Sequence, residues 1–194
     1  MRRPIFAALA VALWLSGCNT TEVIPDGSYS RAVLANSPPL PDWALEGRMS
    51  LSGGKEAWSA NLLWQHDPAH DELKLSGPLG QGATIIRLQG ETVSIDRGGG
   101  NVQTSAQPEA FINQQLGMDV PIKALAYWII GLPATEQAYV DMPSGFRQAG
   151  WLVEYKQMQT VDHRVLPRKM TVMNGQAKLK LIIEQWVIKG EDGH

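Results

Sequence analysis

The stretch Trp43-Ala44-Leu45-Glu46-Gly47-Arg48-Met49-Ser50-Leu51 sets the fold class. Leu45, Gly47, Met49 and Leu51 alternate with Glu46, Arg48 and Ser50, the period of two that marks a half-buried strand. Gly53-Gly54-Lys55 turns the chain, and Trp58, Ala60, Leu62 and Trp64 then alternate with Ser59, Asn61, Leu63 and Gln65. Asp67-Pro68 ends that second strand. Leu73 and Leu75 mark a third, which stops at Gly77-Pro78-Leu79-Gly80. Strands over Ala83–Leu88, Thr92–Asp96 and Val102–Thr104 follow, separated by Gln89-Gly90 and Gly98-Gly99-Gly100-Asn101.

The period then changes. Pro108–Leu116 predicts a short helix with proline in its first turn and Gly117 at its end. Pro121–Ile130 predicts another, apolar on most sides through Ile122, Leu125, Ala126, Trp128 and Ile129, and stopped by Gly131-Leu132-Pro133. After a loop holding Asp141, Pro143 and Gly145, strands resume at Trp151–Gln157, Lys169–Met173 and Lys178–Ile188. Asn174-Gly175 predicts a hairpin between the last two. The sum is an antiparallel meander interrupted by two helices, hence a strongly curved sheet with helices over its concave face.

The N-terminus has its own logic. Arg2-Arg3 precede an apolar run, Ile5–Leu15, of 11 residues. As a helix that run is about 16 Å long, against roughly 30 Å of bilayer core, so it reads as a cleaved signal and not a span. Leu15-Ser16-Gly17-Cys18 closes it, and Cys18 is the chain's sole cysteine. The expected organisation is a signal peptide at 1–17, an N-terminus and flexible tether at 18–41, lipidated if Leu15–Cys18 is the bacterial lipobox that it resembles, one domain at 42–189 and a polar tail at 190–194. Within the tether, Tyr29–Ala35 has room for a turn of helix capped by Ser28.

Removing 17 of 194 residues leaves 177, enough for one domain with a real core. A single cysteine supplies no disulfide framework, so burial must hold the fold. Arg2 and Arg3 leave with the signal, so the mature chain has 15 basic and 19 acidic residues, a net charge near −4. The linear sequence shows no basic block, which argues against nucleic acid and against polybasic attachment to anionic lipid.

Of seven tryptophans, Trp14 belongs to the signal, leaving six for the body. Trp58, Trp64, Trp128 and Trp151 lie in elements expected to face inward, and such flat side chains are awkward to pack to full density in a small curved sheet. They are either core filler or walls of an apolar cavity. The candidate cavity set is Leu45, Met49, Trp58, Leu62, Trp64, Leu73, Leu75, Leu125, Trp128, Ile129, Trp151, Val153, Leu181 and Ile183. Leu79 stands at a turn tip where a polar residue would be ordinary. It either folds back into the core or forms an apolar finger for a bilayer or a partner. His66 and His70 bracket Asp67-Pro68-Ala69 in a turn, where an i, i+4 pair loses its metal-binding geometry. His163 and Asp162 have no serine in a nucleophile elbow, and Gly98–Gly100 opens no helix to cradle a phosphate. No metal, cofactor or enzymatic activity is expected.

Together these residues carry a family likeness. Leu15-Ser16-Gly17-Cys18 resembles the bacterial lipobox, in which the cysteine is acylated. Trp43-x-x-x-Gly47-Arg48, Leu62-Leu63-Trp64-Gln65, Gly77-Pro78-Leu79-Gly80 and Trp128-Ile129-Ile130-Gly131-Leu132-Pro133 follow in order. Gly150-Trp151-x-Val153-x-Tyr155, Leu166-Pro167-x-x-Met170 and Leu179-x-Leu181-x-Ile183-x-x-Trp186 complete the series. In order and spacing the chain resembles the LolB family of outer-membrane lipoprotein receptors.

The resemblance implies an unclosed antiparallel β-barrel of about 10–11 strands, enclosing a hydrophobic cavity under a helical lid. It implies a monomer, lipid-anchored at Cys18 and facing the periplasm, that takes acylated lipoprotein cargo from a LolA-like carrier. It also implies insertion of that cargo into outer-membrane phospholipid, with Gly77, Pro78, Leu79 and Gly80 as the membrane-insertion loop. Asn19, where an aspartate would resemble an inner-membrane retention signal, favours outer-membrane delivery. The rival expectation is a structural accessory lipoprotein of an outer-membrane assembly complex, with a packed core.

Overall fold

The structure is a computed structural model that describes residues 27–53, 56–77, 82–116, 120–135 and 137–189. Cys18 with its signal, Gly54-Lys55, Pro78-Leu79-Gly80, Gly117 and the tail from Gly190 lie outside the described residues. Eleven strands make one antiparallel sheet: β1 (Trp43–Gly53), β2 (Glu56–His66), β3 (His70–Ser76), β4 (Thr84–Gln89), β5 (Thr92–Asp96), β6 (Val102–Ser105), β7 (Tyr139–Met142), β8 (Gly145–Gln148), β9 (Trp151–Val161), β10 (Arg164–Met173) and β11 (Ala177–Ile188). Their order is β6-β5-β4-β3-β2-β1-β11-β10-β9-β8-β7, so β6 and β7 are edges and the sheet is open. Helices α1 (Arg31–Ala35), α2 (Pro108–Leu116) and α3 (Ile122–Ile129) complete the fold.

The register sorts the turns onto two ends. Gly53 pairs with Ala177, Leu75 with Thr84, Asp96 with Val102 and Gln148 with Trp151, so the turns beyond these residues share one end with Gly77. The turns at 66–70, 89–92, 142–145 and 161–164 share the other, the His66 end. Inward-facing residues from both wings of the sheet join α2 and α3 in one core, from Val93 and Ile95 across Leu45 and Leu181 to Phe146 and Val153. β1, paired on both sides, lies at its centre. There a bulge sets Glu46 opposite Gln185 but Gly47 opposite Ile183. A Cβ on Gly47 would sit 2.1 Å from the Ile182 carbonyl oxygen, so only glycine admits this approach.

The helices follow from their ends. Pro108 opens α2, as its missing N–H costs nothing there. Helix α3 buries Ile122, Ala124, Leu125, Ala126, Trp128 and Ile129, which accounts for apolar residues on most of its sides. It ends in a Schellman motif: Gly131 has φ +93, its N–H donates to Trp128 and that of Leu132 to Tyr127.

Three expectations need correction. The loop around Asp141, Pro143 and Gly145 is a β7–β8 hairpin. Its outer strand is exposed nearly throughout, so it carries no alternation to read. β9 and β10 run longer than expected, joined at Asp162-His163, whose φ values of 45 and 64 give the mirror-image turn that suits hairpins. Helix α1 starts after Ser30, not Ser28, and Ser30 makes no side-chain capping bond.

Residues 27–41 pack on the body. Tyr29 stacks on Tyr155 with centroids 4.6 Å apart, Leu34 is buried against Gly131, and Arg164 Nη1 donates to the Pro38 carbonyl at 2.6 Å. Burial pushes the Tyr29 phenol up to about 12, with the Arg31 guanidinium pulling the other way.

Candidate functional site

The fourteen inward positions divide by burial. Leu45, Leu62, Trp64, Leu73, Leu125, Trp128, Ile129, Trp151, Val153, Leu181 and Ile183 are buried in mutual packing. Met49, Trp58 and Leu75 are only half-buried against that core. Unfilled space is therefore unevenly distributed.

The His66 end is filled. Trp43 packs against Trp64, His66 and Trp186 at 5.4, 4.9 and 5.6 Å between centroids. The Asp71 carboxylate accepts from Trp64 Nε1 at 2.8 Å and lies 2.7 Å from His66 Nδ1. Trp186 Nε1 donates to the Pro167 carbonyl at 3.0 Å. His70 faces a different carboxylate, Asp67, which also accepts the Ala69 and His70 N–H groups. Those bonds, Ala69 first, hold Asp67 below the usual carboxylate range. Each histidine is committed to its own aspartate.

The α3 side is fixed by buried polar bonds. Gln148, 2 % exposed, sits under the helix with every hydrogen-bonding atom engaged. Its Oε1 accepts from Trp128 Nε1 at 2.7 Å and from the Ala134 N–H at 2.8 Å. Its Nε2 donates to the carbonyls of Ala134 at 2.8 Å and Gln137 at 2.7 Å. The Tyr155 hydroxyl donates to the Trp128 carbonyl at 2.6 Å, and full burial keeps that phenol well above its ordinary range. Such a satisfied network pins the helix to β8 and β9.

The Gly77 end is where room remains. A pocket of about 250 Å³ lies among Trp58, Ala60, Leu75, Ser76, Gly77, Gly82, Thr84, Ile86, Ile95, Arg97, Ile112 and Gln115. That is just under the roughly 300–1,000 Å³ of typical small-ligand sites. Gly77 and Gly82 bracket the loop that holds Leu79. Ile112 of α2 forms part of the wall, and Arg97 Nη2 reaches Gln115 Oε1 at the exposed rim. Asn113 Oδ1 accepts the Val120 N–H at 2.7 Å. Among the described residues, no buried side-chain bond of the Gln148 kind ties α2 to the sheet.

Trp58 and Leu75 are the members of the sequence set that line this pocket. Thr84, Ile86 and Ile95 were missed, although their alternate positions in β4 and β5 mark them as inward-facing. Arg97 and Gln115 had no local signal at all. The two are brought together only when α2 folds over the end of β5.

With this architecture in view, the family profile "Outer membrane lipoprotein LolB" matches residues 41–186. The chain belongs to the LolB family. An outer-membrane lipoprotein LolB of Chromohalobacter salexigens is 32 % identical over 192 residues, covering 94 % of this chain and 89 % of that one. A LolB of a Marinomonas species is 32 % identical over 188 residues, covering 93 % and 96 %. The crystal structure of an outer membrane lipoprotein-sorting protein domain from Vibrio parahaemolyticus shares the fold. It has a TM-score of 0.50 at 9 % identity and covers 84 % of this chain and 92 % of its own. These relatives are named outer-membrane lipoproteins, and the open 11-stranded antiparallel sheet of this chain is the architecture that the family likeness implied.

Proposed function

We propose that this LolB-family chain accepts the acyl chains of lipoproteins from a soluble LolA-like carrier and releases them into the inner leaflet of the outer membrane. The observation that carries the reading is the pocket at the Gly77 end, where Trp58, Leu75, Ile86, Ile95 and Ile112 form an apolar wall under a rim of polar side chains and α2 is the helix with fewer polar ties. Acyl chains entering there would spread α2 from β4 and β5 and run along the inward positions from Trp58 and Leu75 toward Leu62 and Leu181. Cys18 would carry the anchor, and Gly77, Pro78, Leu79 and Gly80 would contact the bilayer.

The energetics need no nucleotide. Three chains of about 15 methylenes hide on the order of 36 kcal/mol of hydrocarbon, at about 0.8 kcal/mol per methylene. The receptor must shelter them during transfer, while direction comes from differences in holding strength. Each 1.4 kcal/mol shifts a partition about tenfold. A pocket of 250 Å³ does not hold three such chains, so uptake requires α2 to move.

The deciding experiment is transfer of a labelled lipoprotein from purified carrier to this protein without added energy. Stable carrier–lipoprotein complex after mixing would sink the proposal. Leu79→Glu should accept cargo yet deliver it poorly to vesicles. Normal delivery would remove the membrane role of the loop. The packing of eleven of the fourteen inward positions favours a second reading, an accessory lipoprotein with a solid core. A fluorescent apolar probe separates the two: a receptor binds it and gives it up to lipoprotein, whereas a solid core does neither.

A further inference from the structure

The sheet has a second recess on the face opposite the core. It measures about 390 Å³ and spans β2, β1 and β11. Pairing sets Asn61, Arg48 and Ile182 in one row and Ser59, Ser50 and Lys180 in the next. Serines make the floor low, Ile182 supplies an apolar wall, and the long cationic side chains stand at the rim. β10 and β11 extend the positive face, with Lys169 beside Ile182 and Lys178 next along β11. The bulge in β11 gives Glu184, which pairs with Arg48 at 2.6 Å. The ion pairs among the described residues leave Lys180, Lys178 and Lys169 without a carboxylate within 4 Å. A chain of net charge −2 therefore presents a locally cationic pit.

We propose that this recess binds the phosphodiester headgroup of an anionic membrane phospholipid. The hollow itself is mostly apolar, lined by Ile182 and the alkyl stems of Arg48 and Lys180, which suits a glycerol backbone, while the Lys180 ammonium and the Ser50, Ser59 and Asn61 donors stand around it for the phosphate ester. Position supports the membrane as the source. Lys180 pairs with Ser50, three residues from Gly53 at the Gly77 end, roughly 10 Å along the strand. The interfacial layer of a bilayer is roughly 5–8 Å deep on each side, so a body whose Gly77 loop reached hydrocarbon would bring Lys178 and Lys180 to phosphate level. Asn61 couples the two places: its Nδ2 donates to the Gly77 carbonyl at 3.4 Å, and Ala60 borders both the recess and the inner pocket. The inference rests on the proposed contact between the Gly77 end and the membrane.

The test is titration of the mature lipoprotein, held in a neutral detergent, with dihexanoyl phosphatidylglycerol below its own micelle concentration, followed by amide shifts. Saturable binding centred on β1, β2 and β11 is expected. It should weaken at least tenfold in the Arg48→Gln, Lys180→Gln double variant and survive in Lys180→Arg. Non-saturable shifts, or equal affinity in the double variant, overturn the proposal. So does inorganic phosphate binding as tightly as the lipid, which would make the recess a mere anion site. Cargo acceptance from the carrier is measured on the same proteins. The double variant should accept normally, and failure of the unmodified protein to accept cargo would defeat the transfer function without touching the lipid result.

Discussion

The two wings of the sheet are held to their helices in different ways. On the β7–β9 side, Gln148 and Tyr155 bind α3 through short buried hydrogen bonds, and Leu34 of α1 closes over its last turn. On the β3–β6 side, Ile112 of α2 lines a pocket with Ile86 and Ile95, and among the described residues the polar link from α2 to the end of β5 is the one at the rim. Apolar contacts are non-directional and re-form in many arrangements, whereas a buried donor without its acceptor is costly. One wing is therefore built to stay and the other to yield.

The largest effect should come from Gln148→Leu. It strands the Trp128 indole N–H and the Ala134 N–H, at about 1–3 kcal/mol per buried unpaired group, for roughly 3 kcal/mol in all. Urea unfolding should show that loss, and a drop below about 1 kcal/mol would mean that α3 is no better fixed than α2. Next comes Ala60→Phe, which places a ring in the inner pocket. Apolar-probe affinity should fall about tenfold, near 1.4 kcal/mol, with the unfolding midpoint little changed. Unaltered probe binding would place the ligand elsewhere.

Arg97→Ala removes the exposed rim link and should cost under about 1 kcal/mol of stability. Stopped-flow probe entry should nevertheless speed up. If Gln148→Leu accelerates entry and Arg97→Ala does not, the yielding wing is the other one. A further effect concerns pH and shows only in alkali. Tyr29 has a folded pKa raised from 10.0 to about 12. Its contribution is thus complete below pH 10 and is lost as pH rises through 12, because the unfolded phenol ionises first. Thermal melts of the wild type and Tyr29→Phe should converge or cross over that range, and a constant gap would show that Tyr29 does not titrate on unfolding.

How far the sequence could be read varied with chemistry. β1 and β2 were legible because one face is apolar and the other polar, and α2 and α3 because proline and glycine mark their ends. β7 was not, since an exposed edge strand has no buried face to set a period. Within the pocket, Trp58 and Leu75 stood out as large residues in alternating strands, but the meeting of Arg97 and Gln115 depends on tertiary folding. The same limit hid the cationic recess. Arg48, Lys169, Lys178 and Lys180 come from three strands, and no linear window contains them together.

The docking of residues 27–41 also limits how far an anchored molecule can wander. Gly27 lies beside Met158, seven positions along β9 from Trp151, or roughly 24 Å from the Gly77 end. Gly27 stands nine positions after Cys18, a span that reaches about 32 Å fully stretched. Were fatty tails fixed at Cys18, as proposed, slack would be only about 8 Å once that descent is spanned. Such a short leash would keep the mouth of the molecule hovering at the lipid surface, and lengthening it with extra glycine and serine should dilute each encounter with the bilayer.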